Sequence, residues 1–404
     1  MEKNLQKQIE TIKRGTVEIF PEDELVKKLE RSIARNKPLR IKQGFDPSAP
    51  DIHLGHTVGL RKMRQFQDLG HIAVVIIGDY TAMVGDPSGR SKTRPQLTHE
   101  QTMANAKSYL EQVGKVVSKE RLEVVFNGDW FARFDLAAIL KLTSKMTVAR
   151  MLERDDFAVR FKEGTPIAVS EFLYPLMQGW DSVEIRADVE LGATEQKFNL
   201  LVGRALQADA AQEEQVCLTL PILPGTDGIR RMGKSLGNYI GISDAPNDMY
   251  GKVMSIPDSI MRQYYELLTD FTIGEIDRLV SAATHPRDAK ATLASRLTEM
   301  YHGAEAAKAA AAEFDRVFRK GSLPEDIPTV TLPVGLVQDG RAPIIDLLRA
   351  AGLVSTTSEA RRLIQQGGVS VDGTRIAEID ARVPVKNGTV MQVGKRKFAQ
   401  VQVP

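Results

Sequence analysis

The 404-residue chain is poor in cysteine, with one thiol at Cys217. A single thiol excludes an internal disulfide framework and a clustered-thiolate zinc site, and so little cysteine is typical of a reducing compartment. Cys217 lies in the apolar run Val216 to Ile222, where we interpret it as a small buried residue.

Long apolar runs and an excess of one charge are also lacking. No stretch reaches the roughly 18 apolar residues that a membrane helix needs, and the first residues, Met1 to Leu5, do not resemble a leader. The 54 Lys and Arg balance 52 Asp and Glu, so overall charge neither favours nor excludes a polyanionic partner. We expect a cytoplasmic protein with no membrane contact.

The order of the predicted elements indicates an α/β fold. Residues 1–38 have helical patterning and are interpreted as a lead-in; alternating strands and helices follow, and the predicted strands are Leu39 to Phe45, Ile72 to Ile77, Leu122 to Phe126, Val189 to Leu191 and Val216 to Ile222. This alternation predicts a doubly wound parallel sheet over residues 39–230, with a helical insertion at about 91–181. Ligands of such sheets bind at the carboxyl ends of the strands.

The rest of the chain predicts smaller units. Residues 231–320 contain a glycine-rich loop and then helical patterns. In residues 321–340 Pro and Gly interrupt any regular pattern, and we interpret this segment as a linker. Residues 341–404 are predicted to form a compact α+β module.

The segment from Gly44 to His56 lies between the first predicted strand and its helix, where a nucleotide can bind. His53 and His56 at a helix start would turn N–H groups toward an anion that the helix dipole favours, and Gly55 would let an adenine ring approach the backbone. The alternative is that the two histidines ligate a metal or cap the helix.

A second segment, Arg231 to Ser235, is a basic glycine-containing loop. Lys234 would supply a point charge for a pyrophosphate leaving group. On its own such a loop is more often solvated surface.

Together the two segments resemble the HIGH and KMSKS signatures of class I aminoacyl-tRNA synthetases, with Arg231 for Lys and Gly233 for Ser as departures. The resemblance implies a Rossmann-like catalytic domain in which an amino-acid carboxylate attacks the α-phosphorus of ATP. The positive ends would come from His53, His56, Arg231 and Lys234. The resemblance gives as catalytic residues His53, His56, Arg231, Lys234 and Ser235, and as ATP-binding residues Asp46, His53, Gly55, His56, Gly192, Glu195, Arg231 and Lys234.

A polar stripe marks the predicted helix around Leu176. Tyr174, Gln178 and Asp181 are spaced four and three residues apart, so they can face one cavity. A solvated helix face is the alternative, but the apolar neighbours indicate that the helix is buried.

This stripe resembles the tyrosyl-tRNA synthetases, in which the corresponding Tyr and Gln bind the substrate ammonium and the Asp accepts a hydrogen bond from the phenol. The resemblance extends to the segment from Leu191 to Gln196, with Ala193 and Glu195 as departures. It also places Lys42 at the phenol end of the pocket, where many members of the family have a tyrosine instead. The implied tyrosine-binding residues are Lys42, Thr81, Asp86, Tyr174, Gln178, Asp181 and Gln196.

The terminal module resembles the S4-type RNA-binding fold. Basic side chains near a helix start and near the chain end could contact RNA phosphates, although ordinary surface charge is the alternative: Arg361, Arg362, Lys395, Arg396 and Lys397.

The resemblance implies tyrosine–tRNA ligation with ATP and its Mg²⁺ as substrate complex, no metal ligated by the protein, tRNA as partner, and a homodimer formed through the insertion around Leu140 to Phe161. A tryptophanyl synthetase shares both signatures but normally lacks the S4-like tail, and an adenylating nucleotidyltransferase would leave that tail unexplained. An inactive RNA-binding relative is the alternative outside enzymes, since a fold alone does not establish an activity.

Overall fold

The computed structural model describes residues 2–47, 51–87, 98–319, 327–394 and 397–404. The chain forms two compact units, one of Met1–Ala245 with Lys252–Tyr301 and the other of Pro246–Gly251 with His302–Pro404. In the described residues, no helix has both the length and the apolar character needed to cross a membrane.

The segment up to His302 alternates strands with helices. Its elements are α1 (Glu2–Lys13), β1 (Glu18–Phe20), α2 (Glu22–Arg35), β2 (Arg40–Phe45), α3 (Leu54–Asp68), β3 (Ile72–Ile77), α4 (Thr81–Val84), α5 (His99–Val113), β4 (Leu122–Phe126), α6 (Gly128–Phe131), α7 (Leu136–Thr143), α8 (Val148–Met151), α9 (Asp155–Lys162), α10 (Leu173–Ile185), β5 (Val189–Ala193), α11 (Lys197–Asp209), β6 (Val216–Leu220), α12 (Pro246–Met254), α13 (Met261–Leu268), α14 (Ile273–Leu279) and α15 (Pro286–His302).

Six strands form one sheet in the order β1-β6-β5-β2-β3-β4. All neighbours are parallel except β1, which runs antiparallel to β6. Residues 73–77 of β3 are fully buried, as expected for a parallel strand covered on both faces. The predicted doubly wound α/β fold is confirmed. Strand β1 was not predicted, because its three residues lie within a stretch of helical patterning.

The strand order reverses between β2 and β5, which are neighbours in the sheet although α3 to α10 separate them in sequence. From β2 the chain proceeds to β3 and β4 on one side, and β5 and β6 lie on the other. In open α/β sheets this topological switch point leaves a crevice at the carboxyl ends of the strands. The two segments that follow β2 and β5 therefore border one crevice.

Within the helical patterns of residues 231–320, the structure has a break between Met254 and Met261. Helix α12 ends at Met254, and Pro257 precedes a 3-10 turn that leads into α13. Proline lacks the backbone N–H that a helix interior uses, which accounts for the break.

The second unit is an α+β fold in its C-terminal part. Its further elements are α16 (Ala304–Arg319), β7 (Thr329–Thr331), β8 (Arg341–Pro343), α17 (Ile344–Ala350), α18 (Thr357–Gln365), β9 (Val369–Val371), β10 (Thr374–Arg375), β11 (Arg382–Pro384), β12 (Val390–Val393) and β13 (Lys397–Gln402). Five strands form a sheet in the order β10-β9-β12-β13-β7, and β11 pairs with β8. One apolar cluster joins α17 and α18 to this sheet, including Leu347, Leu348, Ile364 and Met391.

Candidate active site

A cavity of about 550 Å³ opens at the crevice between β2 and β5. Its described lining brings together most of the predicted site residues, from both signature segments and from the β5 end: Asp46, His53, Gly55, His56, Asp86, Tyr174, Gly192, Glu195, Gln196, Arg231, Lys234 and Ser235. The cavity is large enough for a small-molecule ligand.

The two predicted histidines stack at the start of α3. Their rings are 3.8 Å apart, and the His53 backbone N–H donates to Nδ1 of His56 at 3.3 Å. Burial above all lowers the pKa of His53 to about 2 and that of His56 to about 4, with a further contribution from the Lys234 charge. Both rings are therefore neutral at pH 7, and the formal positive charges of the described cavity lining belong to Arg231 and Lys234.

His53 also has an unsatisfied polar atom. Its buried Nδ1 has no hydrogen-bond partner in the described part of the chain. A buried polar atom without a partner costs free energy unless a ligand or water satisfies it. Its position beside the cavity and at a helix N-terminus suits a polar or anionic ligand.

The segment that follows the basic signature loop is joined to the histidine segment by backbone pairing. Leu54 N–H donates to Ile240 O at 2.9 Å, and Ile242 N–H donates to Ile52 O at 3.0 Å. Just after the loop, the buried Asn238 accepts from Gly233 N–H at 2.9 Å. The two segments, far apart in sequence, thus form one structural unit at the cavity.

Asn238 is a site residue that the sequence analysis missed. Its amide donates to Asp227 Oδ2 at 2.9 Å, and Asp227 also accepts from the backbone N–H groups of Ile229 and Arg230. These hydrogen bonds, the Ile229 N–H first, lower the pKa of Asp227 to about 2. The sequence signal was an Asp-Gly turn before the loop and an Asn after it.

Both cations of the loop contact carboxylates. Lys234 Nζ lies 2.6 Å from Asp51 Oδ2, and Arg231 lies 3.3 Å from Glu195 Oε1. Lys234 also lies 6.0 Å from the centre of the Tyr239 ring. Ser235 is exposed at the same loop.

Asp46, which lines the cavity, binds two predicted tyrosine-pocket residues. Tyr174 OH donates to Asp46 Oδ2 and Thr81 Oγ1 donates to Asp46 Oδ1, both at 2.8 Å. Asp46 therefore connects the histidine segment to the polar stripe of α10.

Asp86 accepts hydrogen bonds from two residues that lie far apart in the sequence. Gln196 Nε2 donates to one carboxylate oxygen at 3.2 Å, and the buried Arg154 donates to the other at 3.3 Å. Arg154 also donates to Asn199 Oδ1 at 2.9 Å. Sequence analysis missed Arg154 and Asn199, because neither stands in a periodic pattern with the residues it contacts.

Asp181 is buried on α10 and accepts from Trp130 Nε1 at 3.0 Å and from Asn127 Nδ2 at 3.4 Å. Burial is the main cause that raises the pKa of Asp181 to about 7. Asn127 and Trp130 were missed, although they follow β4 at the sheet edge where ligands of such folds bind.

Lys42 is fully buried, and its ammonium contacts three protein oxygens. These are Gln178 O at 2.6 Å, Ser182 Oγ at 2.7 Å and Glu190 Oε1 at 2.8 Å. Gln178 in turn donates through its side chain to Glu190 at 3.0 Å and accepts from Asn199 at 2.8 Å. Lys42 is thus placed beneath α10, next to two predicted pocket residues.

The predicted RNA-binding residues lie on the second unit. Arg361 and Arg362 are exposed in the middle of α18, rather than near the start of a helix as expected, and Lys397 is exposed on β13. Lys395 and Arg396 lie outside the described residues. Among the described residues, no cluster of three or more His, Cys, Asp or Glu side chains could hold a metal ion.

Comparison with protein families gives two matches. Residues 34–319 match the tRNA synthetases class I (W and Y), and residues 343–386 match the S4 domain.

Curated relatives are similar over almost the whole chain. Tyrosine–tRNA ligase from Moorella thermoacetica is 51% identical, covering 99% of this chain and 97% of the relative. The ligases from Bordetella pertussis and Thermotoga maritima are 52% and 50% identical, covering 97% and 98% of this chain and 95% and 97% of the relatives.

Solved structures share the fold. A C-terminally truncated mitochondrial tyrosyl-tRNA synthetase from Aspergillus nidulans has a TM-score of 0.63 at 21% identity, covering 79% of this chain and all of that one. Tyrosyl-tRNA synthetase from Archaeoglobus fulgidus, complexed with L-tyrosine, has a TM-score of 0.62 at 22% identity, covering 76% of this chain and 99% of that one. The chain therefore belongs to the bacterial tyrosyl-tRNA synthetases of class I with an S4 domain, and its activity is the ATP-dependent ligation of tyrosine to tRNA.

Proposed function

We propose that the cavity binds tyrosine and ATP, the latter as its Mg²⁺ complex, side by side at the β2–β5 crevice. The tyrosine carboxylate oxygen attacks the α-phosphorus, a new C–O–P bond forms, and the bond from the α-phosphorus to the bridging oxygen breaks. Tyrosyl-adenylate and pyrophosphate result. A ribose hydroxyl at the end of tRNA then attacks the tyrosyl carbonyl, and AMP leaves.

The observation that carries this proposal is that one cavity is lined both by the histidine and loop residues and by Asp86, Tyr174 and Gln196. The histidine and loop residues form a polar end with two formal positive charges, Arg231 and Lys234. Since phosphoryl chemistry of this type needs positioning and charge stabilisation rather than a protein nucleophile, this end suits the triphosphate.

The ATP end includes Asp46, Gly55, Gly192 and Glu195 from the predicted set. Gly192 is buried, and a Cβ added there would lie 2.8 Å from Leu200 Cδ1 and 3.1 Å from Gln196 Oε1. Any larger residue would therefore displace the Leu200 methyl and press on Gln196, which holds Asp86.

The opposite end suits tyrosine. Asp86, Tyr174, Gln178 and Gln196 are assigned to the ammonium and carboxylate side of the substrate, with Thr81 supporting this side through Asp46. Asp181 is assigned to the phenol. As a carboxylate it already accepts from two donors, and a phenol O–H is a third donor that phenylalanine lacks. Without that donor, the buried Asp181 carboxylate lacks one hydrogen bond, and this loss is how the site rejects phenylalanine.

Further proposals concern partners and location. The exposed Arg361, Arg362 and Lys397 are assigned to phosphate contacts with tRNA, together with Lys395 and Arg396. Homodimer formation is assigned to the segment around Leu140 to Phe161, and the location to the cytoplasm, in keeping with the single cysteine. No metal ligated by the protein is proposed.

The first experiment is exchange of labelled pyrophosphate into ATP with tyrosine, phenylalanine or tryptophan. We expect exchange with tyrosine alone. Asp181→Asn should raise the KM for tyrosine and reduce discrimination against phenylalanine, and Lys234→Ala should lower kcat by about 100-fold or more. Lys27→Ala, an exposed lysine of α2, is the control.

Three outcomes would overturn all or part of the assignment. Exchange driven equally by tryptophan would favour the tryptophanyl alternative, and no exchange with any of the three would favour an inactive RNA-binding relative. Unchanged discrimination in Asp181→Asn would remove Asp181 from the phenol end.

A further inference from the structure

A fully buried ion pair contacts α10 at Gln178. Lys42 of β2 and Glu190 of β5 are direct partners in the parallel register, and Nζ of the lysine lies 2.8 Å from Oε1 of the glutamate. Neither side chain is exposed at all. The pair therefore sits at the junction of the two strands where the strand order reverses.

The pair holds one turn of α10 from both sides. The Lys42 ammonium donates to the Gln178 carbonyl and to the Ser182 hydroxyl, at 2.6 and 2.7 Å. Glu190 accepts from the Gln178 side-chain amide at 3.0 Å, from Ser182 at 3.2 Å and from Gln215. The turn between these contacts carries Asp181.

Stability alone does not account for this arrangement. Removing two charges from water costs several kcal/mol per ion, and apolar side chains of similar volume are often as stable. The three protons of the Lys42 ammonium match the three oxygens around it. A fully satisfied polar network of this kind fixes geometry, which aliphatic side chains in the same space would not do.

We propose that Lys42 and Glu190 are positioning residues for the substrate tyrosine, which act through Gln178 and Asp181 without touching the substrate. The inference rests on the proposed assignment of Gln178 and Asp181 to the tyrosine site. It differs from the sequence-based expectation, in which Lys42 contacts the substrate itself.

The pair also acts on Asp181 through charge. The charged groups that influence its carboxyl are Lys42 from β2, which lowers the pKa of Asp181, and Glu190 from β5, which raises it by less. The groups in contact from the β4–α6 corner, Asn127 and Trp130, are uncharged hydrogen-bond donors. Removing both charges of the pair therefore raises the pKa of Asp181 above about 7. More of the enzyme then carries a protonated Asp181, which is a poorer acceptor for the phenol.

The test is pyrophosphate exchange between pH 6 and 9 with Lys42→Met/Glu190→Gln, in which no unpaired buried charge remains. We expect kcat/KM for tyrosine to fall by roughly tenfold at pH 7, the equivalent of one hydrogen bond to a charged group. The inflection of its pH profile should move upward by about one unit, and the KM for ATP should not change. Discrimination against phenylalanine should weaken.

Ser182→Ala keeps both charges and removes one hydroxyl of the turn. It should raise the KM for tyrosine by less than the double variant does, without moving the inflection. The matched control is Arg160→Met/Glu171→Gln, which removes another buried ion pair. It should leave both the KM for tyrosine and the pH profile in place, whatever its melting temperature.

A double variant with an unchanged tyrosine KM and an unchanged inflection, altered only in melting temperature, would show that the pair is merely structural. Asp181→Asn, measured in parallel, separates this result from failure of the proposed function. If Asp181→Asn weakens discrimination and the double variant does not, the positioning role alone is wrong.

Discussion

The Asp51 carboxylate lies 2.6 Å from the Lys234 ammonium, and this ion pair joins the histidine segment, two residues before His53, to the basic signature loop. The Asp51 side chain is about half exposed and that of Lys234 about a quarter. A pair this exposed contributes between zero and about 1 kcal/mol. Lys234 can therefore exchange Asp51 for a phosphate at small cost.

Asp51→Asn should lower the KM for ATP by up to about fivefold, because Lys234 no longer has to leave a carboxylate before it contacts a phosphate. The KM for tyrosine should be unchanged. Pyrophosphate exchange with ATP varied at saturating tyrosine measures both effects. Asp68→Asn, which breaks the exposed Arg64–Asp68 pair of α3, is the matched control. A rise in the ATP KM of Asp51→Asn would instead show that Asp51 helps to bind the nucleotide complex.

The sequence predicted those parts of the site that follow buried strands. The segments after β2 and β5 could be placed together because parallel strands end at the same edge of a sheet. The contacts that complete the site come from residues whose partners are distant in the chain. Arg154 reaches Asp86 from the start of α9, and Trp130 reaches Asp181 from α6. No local period predicts such contacts.

Lys42 and Glu190 are a sequence signal that the assignment of Lys42 to the substrate used only in part. A lysine in β2 and a glutamate in β5 are both unexpected in strands that are buried on two faces. Two opposite charges in adjacent buried strands predict an ion pair, and the structure contains it between Lys42 and Glu190. Assigning Lys42 to the substrate considered the lysine alone, without its partner.

The second prediction concerns acid stability and His71. This buried ring accepts from Leu39 N–H at Nδ1 and contacts Gln8 Oε1 through Nε2, both at 3.2 Å. Burial above all, with the nearby Arg121 charge, lowers the pKa of His71 to about 4. Between pH 6.5 and about 4 the unfolded chain binds a proton that the folded chain does not. The free energy of unfolding should therefore decrease as pH falls through this window, by up to about 1.4 kcal/mol per unit from this residue.

His71→Gln should be less stable at pH 7 yet show a flatter decrease between pH 6.5 and 4. Urea unfolding at several pH values measures the slope. His285→Gln, which replaces an exposed histidine, should retain the slope of the parent protein. If the free energy of unfolding of His71→Gln falls with pH as steeply as that of the parent protein, His71 is not one of the groups that cause the decrease.

The third prediction concerns self-association. Of the fifteen large apolar side chains exposed in the described chain, seven fall between residues 136 and 169. Leu140 and Phe161 are 60% and 68% exposed. Because exposed apolar side chains this numerous mark interaction surfaces, we expect the chain to be a dimer in solution. Leu140→Asp/Phe161→Asp should shift it to a monomer, measured by light scattering after gel filtration.

The matched control for the dimer is Ile273→Asp, which places the same charge on an exposed apolar residue of α14. It should remain dimeric. A parent protein that elutes as a monomer at micromolar concentration would contradict the expectation, and so would a double variant that stays dimeric.

The last prediction distinguishes tyrosine activation, which needs no tRNA, from the transfer of tyrosine to tRNA. Arg361 and Arg362 are exposed on α18 and belong to the S4 domain, whereas the cavity proposed for tyrosine activation is lined by residues of the other compact unit. Arg361→Ala/Arg362→Ala should raise the KM for tRNA in aminoacylation and leave pyrophosphate exchange unchanged. If each arginine contacts one phosphate, the dependence of log affinity on log salt should become shallower by about 0.7 to 0.9 per arginine. Lys308→Ala, in the exposed Lys308–Glu305 pair of α16, should change neither quantity. An unchanged salt dependence in the double variant would mean that these arginines are ordinary surface charge, and that tRNA is held elsewhere.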